Sequence, residues 1–223
     1  MANRKMAKLK TSLITGFDAF GKSKYNPTES VVQALPESLD GINLSGAVLP
    51  TTARGSWSAL KKAWKAADPD VIIMLGMAES RQRLSIERFA LNIRDYRIAD
   101  NEGMQPLGET IEKDAPEAMR TKVAVEKLQK HLQRKGYPCE VSNHAGTFVC
   151  NDVYFQALDR QKKKGGPRLV LFMHLPMPPV YAKTVAEESK RKRDPRLARS
   201  RKLQMALLTD AVLEAVRFCA QSL

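Results

Sequence analysis

Two short runs of uninterrupted apolar residues, Val71-Ile72-Ile73-Met74-Leu75 and Leu169-Val170-Leu171-Phe172-Met173, constrain the fold of this chain more than any other feature. Runs of this length, rich in β-branched residues and without a polar face, suit strands buried on both sides. Between and around them lie stretches with helical signals. Asn26-Pro27 opens a helix predicted over 27–35, and 54–67 reads as another. Leu9 to Thr15, Ala47 to Leu49, Ile86 to Ile93 and a segment near Cys139 to Ser142 read as further strands. Asp114-Ala115-Pro116-Glu117 carries a cap, an early proline and an acid three residues on, which predicts a helix start. That helix would run through Val125, Leu128 and Leu132 and stop at Gly136 and Pro138. A helix from about Asn151 to Gln161 and a closing one from about Lys202 to Gln221 complete the pattern. Strands alternating with helices imply an α/β fold, a three-layer α/β/α sandwich on a mainly parallel mixed sheet. At 223 residues and 43% hydrophobic content the chain has ample material for one domain spanning 1–223.

Chemistry enters at Cys150. The segment Ala145-Gly146-Thr147-Phe148-Val149-Cys150-Asn151 sets a thiol at the start of a helix, whose free N–H groups and positive dipole end favour thiolate. His174 follows the second apolar run, at the carboxyl end of its strand, where α/β sheets carry their sites. Glu87 is an acid inside an otherwise apolar stretch and can orient an imidazole. A nucleophile, a base and an orienting acid need only meet in space. Each has a plainer reading in isolation: Cys150 as a small buried hydrophobe, His174 as a satisfied core histidine, Glu87 as a partner of Arg88 or Arg97. Their combination favours a cysteine hydrolase. Cys139 and Cys219 read as packing residues, His131 as exposed, and His144 as a hydrogen-bonded loop residue.

Three cysteines without a CxxC pair, and no histidine cluster with zinc-like spacing, point to free thiols in a reducing compartment. No metal or organic cofactor is implied: HExxH, a phosphate-binding glycine loop with its lysine, and GxGxxG are all missing. Residues 1–8 form a basic tail, and the apolar stretch behind it is too short and interrupted for a signal peptide. No apolar run reaches about 18 residues, so the expectation is a cytoplasmic protein without a membrane partner. A net charge of +13 raises nucleic acid as a partner. Nine of the 37 basic residues crowd between Lys183 and Lys202, and Arg160, Lys162, Lys163 and Lys164 form a second cluster. Neither has interleaved aromatics or a nucleic-acid motif, so they read as a mobile basic loop, about 183–202, and a solvated face.

Four motifs, in order, resemble the pyroglutamyl-peptidase I family of cysteine peptidases. They are Thr15-Gly16-Phe17-Asp18-Ala19-Phe20-Gly21 with Asn26-Pro27; Glu87-Arg88-Phe89-Ala90-Leu91-Asn92 with the segment from Arg97 to Pro106; Ser142 to Asn151; and His174-Leu175-Pro176. The resemblance implies removal of an N-terminal pyroglutamate by a Cys150, His174, Glu87 triad through a thioester. It also implies Phe17 and Phe20 as walls of a lactam pocket, with Asn26, Met77 and Phe148 nearby. Arg97 and the backbone around Val149 and Cys150 would supply the oxyanion donors. Homo-oligomers, dimers or tetramers, are common in the family. Burying an ammonium between two phenyl rings costs several kcal/mol, so such a pocket would reject ordinary N-termini. This chain departs from the family pattern Gly-Gln-Ala-Gly-Gly-Arg at Gly76-Met77-Ala78-Glu79-Ser80-Arg81, and has His144 where threonine is usual and Ala99 where proline is usual. These changes bear on acyl-group preference rather than on reaction type, and leave open a hydrolase with altered specificity.

Overall fold

The computed structural model describes residues 10–21, 23, 25–188 and 200–223. Its centre is a seven-stranded sheet in the order β2-β3-β1-β4-β9-β5-β8. The strands are β1 (Thr11–Phe17), β2 (Ser38–Leu39), β3 (Ile42–Leu49), β4 (Val71–Met77), β5 (Leu84–Glu87), β8 (Cys139–Ser142) and β9 (Leu169–Leu175). The pairs β1·β3, β1·β4, β4·β9 and β5·β8 are parallel. The pairs β5·β9 and β2·β3 are antiparallel. A separate two-stranded antiparallel sheet joins β6 (Phe89–Leu91) to β7 (Ala118–Arg120). Helices α1 (Pro27–Gln33), α2 (Gly55–Ala67), α3 (Val125–Arg134), α4 (Val149–Lys164), α5 (Pro178–Glu188) and α6 (Arg201–Gln221) cover the main sheet.

The two apolar runs are β4 and β9, side by side at the centre, and their period-two alternation divides the core. Val71, Ile73 and Leu75 of β4, with Leu169, Leu171 and Met173 of β9, pack against residues of α1, α3, α5 and α6. Ile72, Met74, Val170 and Phe172 point the other way, onto Leu60 and Trp64 of α2 and Val149, Val153 and Phe155 of α4. Successive strand residues point to opposite faces, so both faces must be apolar and both must be covered. The three-layer arrangement follows.

Local signals account for the helix ends that matter here. Asn26 caps α1 by accepting from the Thr28 N–H at 3.1 Å, with Pro27 in the first turn. Pro178 opens α5 in the same way, which makes the Met177-Pro178-Pro179 sequence a helix entry. At the other end of α4, Lys162, Lys163 and Lys164 occupy the last turn, where cations complement the helix dipole. Lys163 also pairs with Asp159 at 2.9 Å, and the Arg160 guanidinium lies 5.1 Å from the Trp64 ring centre. This basic cluster thus has partners within the fold.

Four expectations are corrected. The stretch Ile86 to Ile93 is two strands, broken at Arg88: β5 belongs to the main sheet and β6 to the small one. Alternation continues through the break, and periodicity does not reveal a change of pairing partner. The signal at Asp114 to Glu117 starts no helix. The Asn92 N–H donates to the Glu117 carbonyl, β7 pairs with β6, and α3 begins only at Val125, so tertiary strand pairing overrides the local cap. The basic segment about 183–202 is helical at both described ends, in α5 up to Glu188 and in α6 from Arg201, with Ser200 as its cap. Its middle, 189–199, and the basic tail 1–8 lie outside the described residues. His131 is half-buried rather than exposed, with its Nε2 3.1 Å from Glu214 of α6.

Cys139 and Cys219 are buried packing residues, and burial pushes both thiols up to about 12. Their neutral forms belong to the native state, whereas unfolded thiols ionise from about 9. The stabilisation is complete below that value and is lost as pH rises towards 12. Urea midpoints are expected to decline over this alkaline window. Cys219→Ala, weaker at neutral pH by about 1 kcal/mol, is expected to decline less steeply. Equal slopes for the two proteins would assign the alkaline loss to other groups.

Candidate active site

Strand parity brings the chemistry together. In β9, His174 follows Phe172 on the face covered by α4, and in β5, Glu87 lies on that same face because Leu84 and Ile86 point to the opposite core. The strands are antiparallel neighbours, with Ser85 opposite His174 and Glu87 opposite Phe172. The result is a contact of 2.7 Å between His174 Nδ1 and Glu87 Oε1. The carboxylate side chain is fully buried and His174 is 6% exposed. With Nδ1 donating to the carboxylate, Nε2 is left as the ring's free acceptor.

The thiol comes from α4. Cys150 is its second residue, one turn before Tyr154, whose hydroxyl donates to the Glu87 carbonyl at 3.1 Å. Gly76, at the end of β4 and in register with His174, is the floor between them. A Cβ placed there would lie 2.9 Å from Cys150 Sγ and 2.9 Å from His174 Cδ2. Sulfur and imidazole are therefore no more than twice that apart, and only glycine leaves the space between them open.

The environment of the sulfur opposes the helix N-terminus. Burial, reinforced by the Glu87 carboxylate, pushes the Cys150 thiol up to about 12, although its own backbone N–H and Arg81 act in the opposite direction. The helix N-terminus does not by itself produce a standing thiolate. The start of α4 carries no side-chain cap, so the first N–H groups of the helix lack the partner that a capping residue would supply.

A cavity of about 800 Å³ opens onto Cys150. Phe17, Phe20, Asn26, Met77, Phe148 and Arg97 all line it, together with Glu79 and Ser80. The Phe148 ring stacks at a tilt on Phe20 (5.0 Å) and on Tyr96 (4.6 Å), so the apolar wall is continuous. Asn26 borders the cavity, but its amide is already engaged: Nδ2 donates to the Asp18 carbonyl and Oδ1 accepts from Thr28. Val149 is fully buried in the α4 core, so only its backbone can face the site. A slightly larger cleft of about 890 Å³, bordered by Lys127, Lys130, Arg134 and Phe218, has no nucleophile in its lining. Among the described residues no group of three His, Cys, Asp or Glu side chains could hold a metal ion.

Other residues of the site escaped the sequence reading. Asp152, fully buried, takes the Arg94 guanidinium at 2.8 and 3.1 Å and the Tyr96 hydroxyl at 3.3 Å, tying the segment before Arg97 to α4. Asn151 bonds the backbone of Leu91 and Ile93 and fixes the other end of that segment. Asp18 accepts from Thr51 N–H and hydroxyl, and Asn101 reaches the Ala19 carbonyl, so the loop that follows Phe17 at the end of β1 and carries Phe20 is tied on two sides. Glu87 pairs with Arg81 at 2.7 Å, and not with Arg88, which goes to Asn143 and Glu126, nor with Arg97. His144 is an exposed loop residue whose Nδ1 accepts from the Gly146 N–H.

The model of the family described as pyroglutamyl peptidase matches residues 10–215. The chain belongs to the pyroglutamyl peptidase family. These are cysteine omega-peptidases that remove an N-terminal pyroglutamate. The pyrrolidone-carboxylate peptidase of Fusobacterium nucleatum is 37% identical over 171 residues, 77% of this chain and 80% of that protein. That of Thermococcus litoralis is 37% identical over 77% of this chain and 78% of its own length. Among solved structures, pyroglutamyl peptidase I of Bacillus amyloliquefaciens superposes with a TM-score of 0.78 at 32% identity, covering 92% of this chain and 94% of that one. A mutant pyrrolidone carboxyl peptidase from Pyrococcus furiosus gives 0.82 at 30% identity, covering 96% and 99%. The three-layer α/β fold is the fold of this pyroglutamyl peptidase family.

Gly76→Ala is expected to fold but to lose about a hundredfold in turnover of a pyroglutamyl amide, the order associated with displacing reacting groups by about 1 Å. Wild-type turnover in a folded Gly76→Ala protein would show that the space beside Cys150 and His174 is not needed.

Proposed function

We propose that this chain removes N-terminal pyroglutamate with Cys150 as nucleophile, His174 as general base and acid, and Glu87 as the group that orients the imidazole. The observation that carries the reading is the 2.7 Å contact of Glu87 with His174 Nδ1 beside a sulfur that opens onto an aromatic-walled cavity. His174 Nε2 takes the thiol proton as Sγ attacks the pyroglutamyl carbonyl carbon. A thiol held up to about 12 makes this transfer part of the reaction rather than a prior ionisation. Backbone N–H groups at Val149 and Cys150, with Arg97 across the cavity, face the developing oxyanion. Collapse breaks the C–N bond, the imidazolium gives its proton to the leaving amine, and water hydrolyses the thioester.

Phe17, Phe20, Phe148 and Met77 form the apolar side that a neutral lactam can occupy and an ammonium cannot without losing its hydration. The position of Met77, Glu79 and Ser80 in the cavity lining supports a second reading, in which the same machinery prefers a different acyl group. No helix among the described residues is long and apolar enough to cross a membrane. The three free cysteines favour a reducing cytoplasm, and the family likeness favours a homo-oligomer, dimer or tetramer, acting on pyroglutamyl peptides.

Release of a fluorescent amine from a pyroglutamyl amide in reducing buffer tests the assignment. Cys150→Ala is expected to lose about 10⁴-fold or more, and Met77→Gln is expected to raise activity. Equal turnover of pyroglutamyl, prolyl and alanyl amides would overturn the pyroglutamyl preference, and an active Cys150→Ala protein would overturn the nucleophile.

A further inference from the structure

The loop between β4 and β5 contributes more than cavity wall. Met77, Glu79 and Ser80 line the cavity, but the next residue, Arg81, turns away from it and places Nη1 2.7 Å from Glu87 Oε1. That is the same oxygen that meets His174 Nδ1 at 2.7 Å. The second oxygen, Oε2, is buried without a partner among the described residues. Two short hydrogen bonds therefore converge on one atom of a fully buried carboxylate, one from a permanent cation and one from the imidazole. We propose that Arg81 is a positioning residue of the catalytic dyad, holding the Glu87 carboxylate aimed at His174 and offsetting its negative charge at the imidazole.

The charges facing the dyad are few. From α4 come Cys150 and Tyr154, whose hydroxyl is spent on the Glu87 backbone carbonyl. Arg88, next along β5, is engaged by Asn143 and Glu126. Arg81 is thus the cation in contact with the Glu87 carboxylate. It is held for this role at both ends. Its N–H donates to the Ala78 carbonyl, closing the turn, and the Ala78 N–H donates to Leu175 at the end of β9, one residue beyond His174. Its Nη2 lies 3.4 Å from the Ser142 hydroxyl at the end of β8. The guanidinium spans the carboxyl ends of β5 and β8 while its backbone is tied to β9.

Removing the cation leaves a desolvated carboxylate that has, among the described residues, only a protonated imidazole for counter-charge. Both groups then hold the shared proton more tightly, and His174 is less often free to accept one from the thiol. For Arg81→Gln the acid limb of the kcat/KM profile for a pyroglutamyl amide is expected to move to higher pH by about one unit. The loss is expected in kcat, about tenfold to a hundredfold near neutral pH, with KM changed less than about threefold. Arg81→Lys, which keeps the charge and is the variant to rely on if Arg81→Gln does not fold, is expected to keep the acid limb in place while losing kcat. In a Glu87→Gln background, Arg81→Gln is expected to shift nothing further.

A pH profile of Arg81→Gln that superposes on the wild type, or one lowered by a constant factor at every pH, would overturn the proposal in favour of a structural ion pair. So would an equal shift of the limb in Arg81→Lys. The inference rests on the Cys150, His174, Glu87 assignment. Activity surviving in Cys150→Ala would locate a failure there, whereas an inactive Cys150→Ala beside an unshifted Arg81→Gln would locate it in Arg81.

Discussion

A carboxylate with no exposure to solvent has to be compensated from within the protein, and Glu87 meets that need at the join of two strands that run in opposite directions. Its Oε1 receives His174 from β9 and Arg81 from the loop beyond β4. Because β9 also pairs with β4, and Gly76 of β4 lies opposite His174, the same sheet register that makes the carboxylate contact opens the space into which Cys150 projects. One antiparallel pairing in a mainly parallel sheet thus aligns the imidazole, the acid and the floor under the sulfur.

The supports around this centre are built from buried hydrogen bonds rather than from apolar packing alone. Asp152 and Asn151 follow Cys150 directly in α4 and bind the segment that carries Arg94, Tyr96 and Arg97. Asp18 and Asn101 restrain the phenylalanine loop. The cavity-lining loops that carry Phe20 and Arg97 are therefore tied to the helix and strands beneath them. Burial and the Glu87 carboxylate push the Cys150 thiol up to about 12, so in the proposed reaction its activation falls to the nearby imidazole.

Much of this was legible in residue order. The two apolar runs became the central strands β4 and β9, Asn26-Pro27 became a capped helix, and Cys150 and His174 flank Gly76 with Glu87 against the imidazole. The failures share one cause. Asp114 to Glu117 has every local mark of a helix start, yet the chain there pairs with β6, and the strand read through Ile93 changes sheets at Arg88. Arg81 looked like the tail of a loop motif, while Arg88 and Arg97 looked like the neighbours of Glu87. Sequence distance gave no hint that Arg81 folds back over six residues to the carboxylate.

Sequence alone determined which residue types were present for a thiol-based reaction, where the doubly buried strands would lie, and which family the motifs resemble, because hydrophobic period and motif chemistry are local properties. Tertiary structure alone decided that Glu87 is shared by His174 and Arg81, that the Asn26 amide is taken up by Thr28 and the Asp18 carbonyl, and that Gly76 holds open the gap beside the sulfur. Those outcomes depend on which strands become neighbours and in what direction. That is settled by packing two apolar faces under two layers of helices, and no short stretch of chain encodes it.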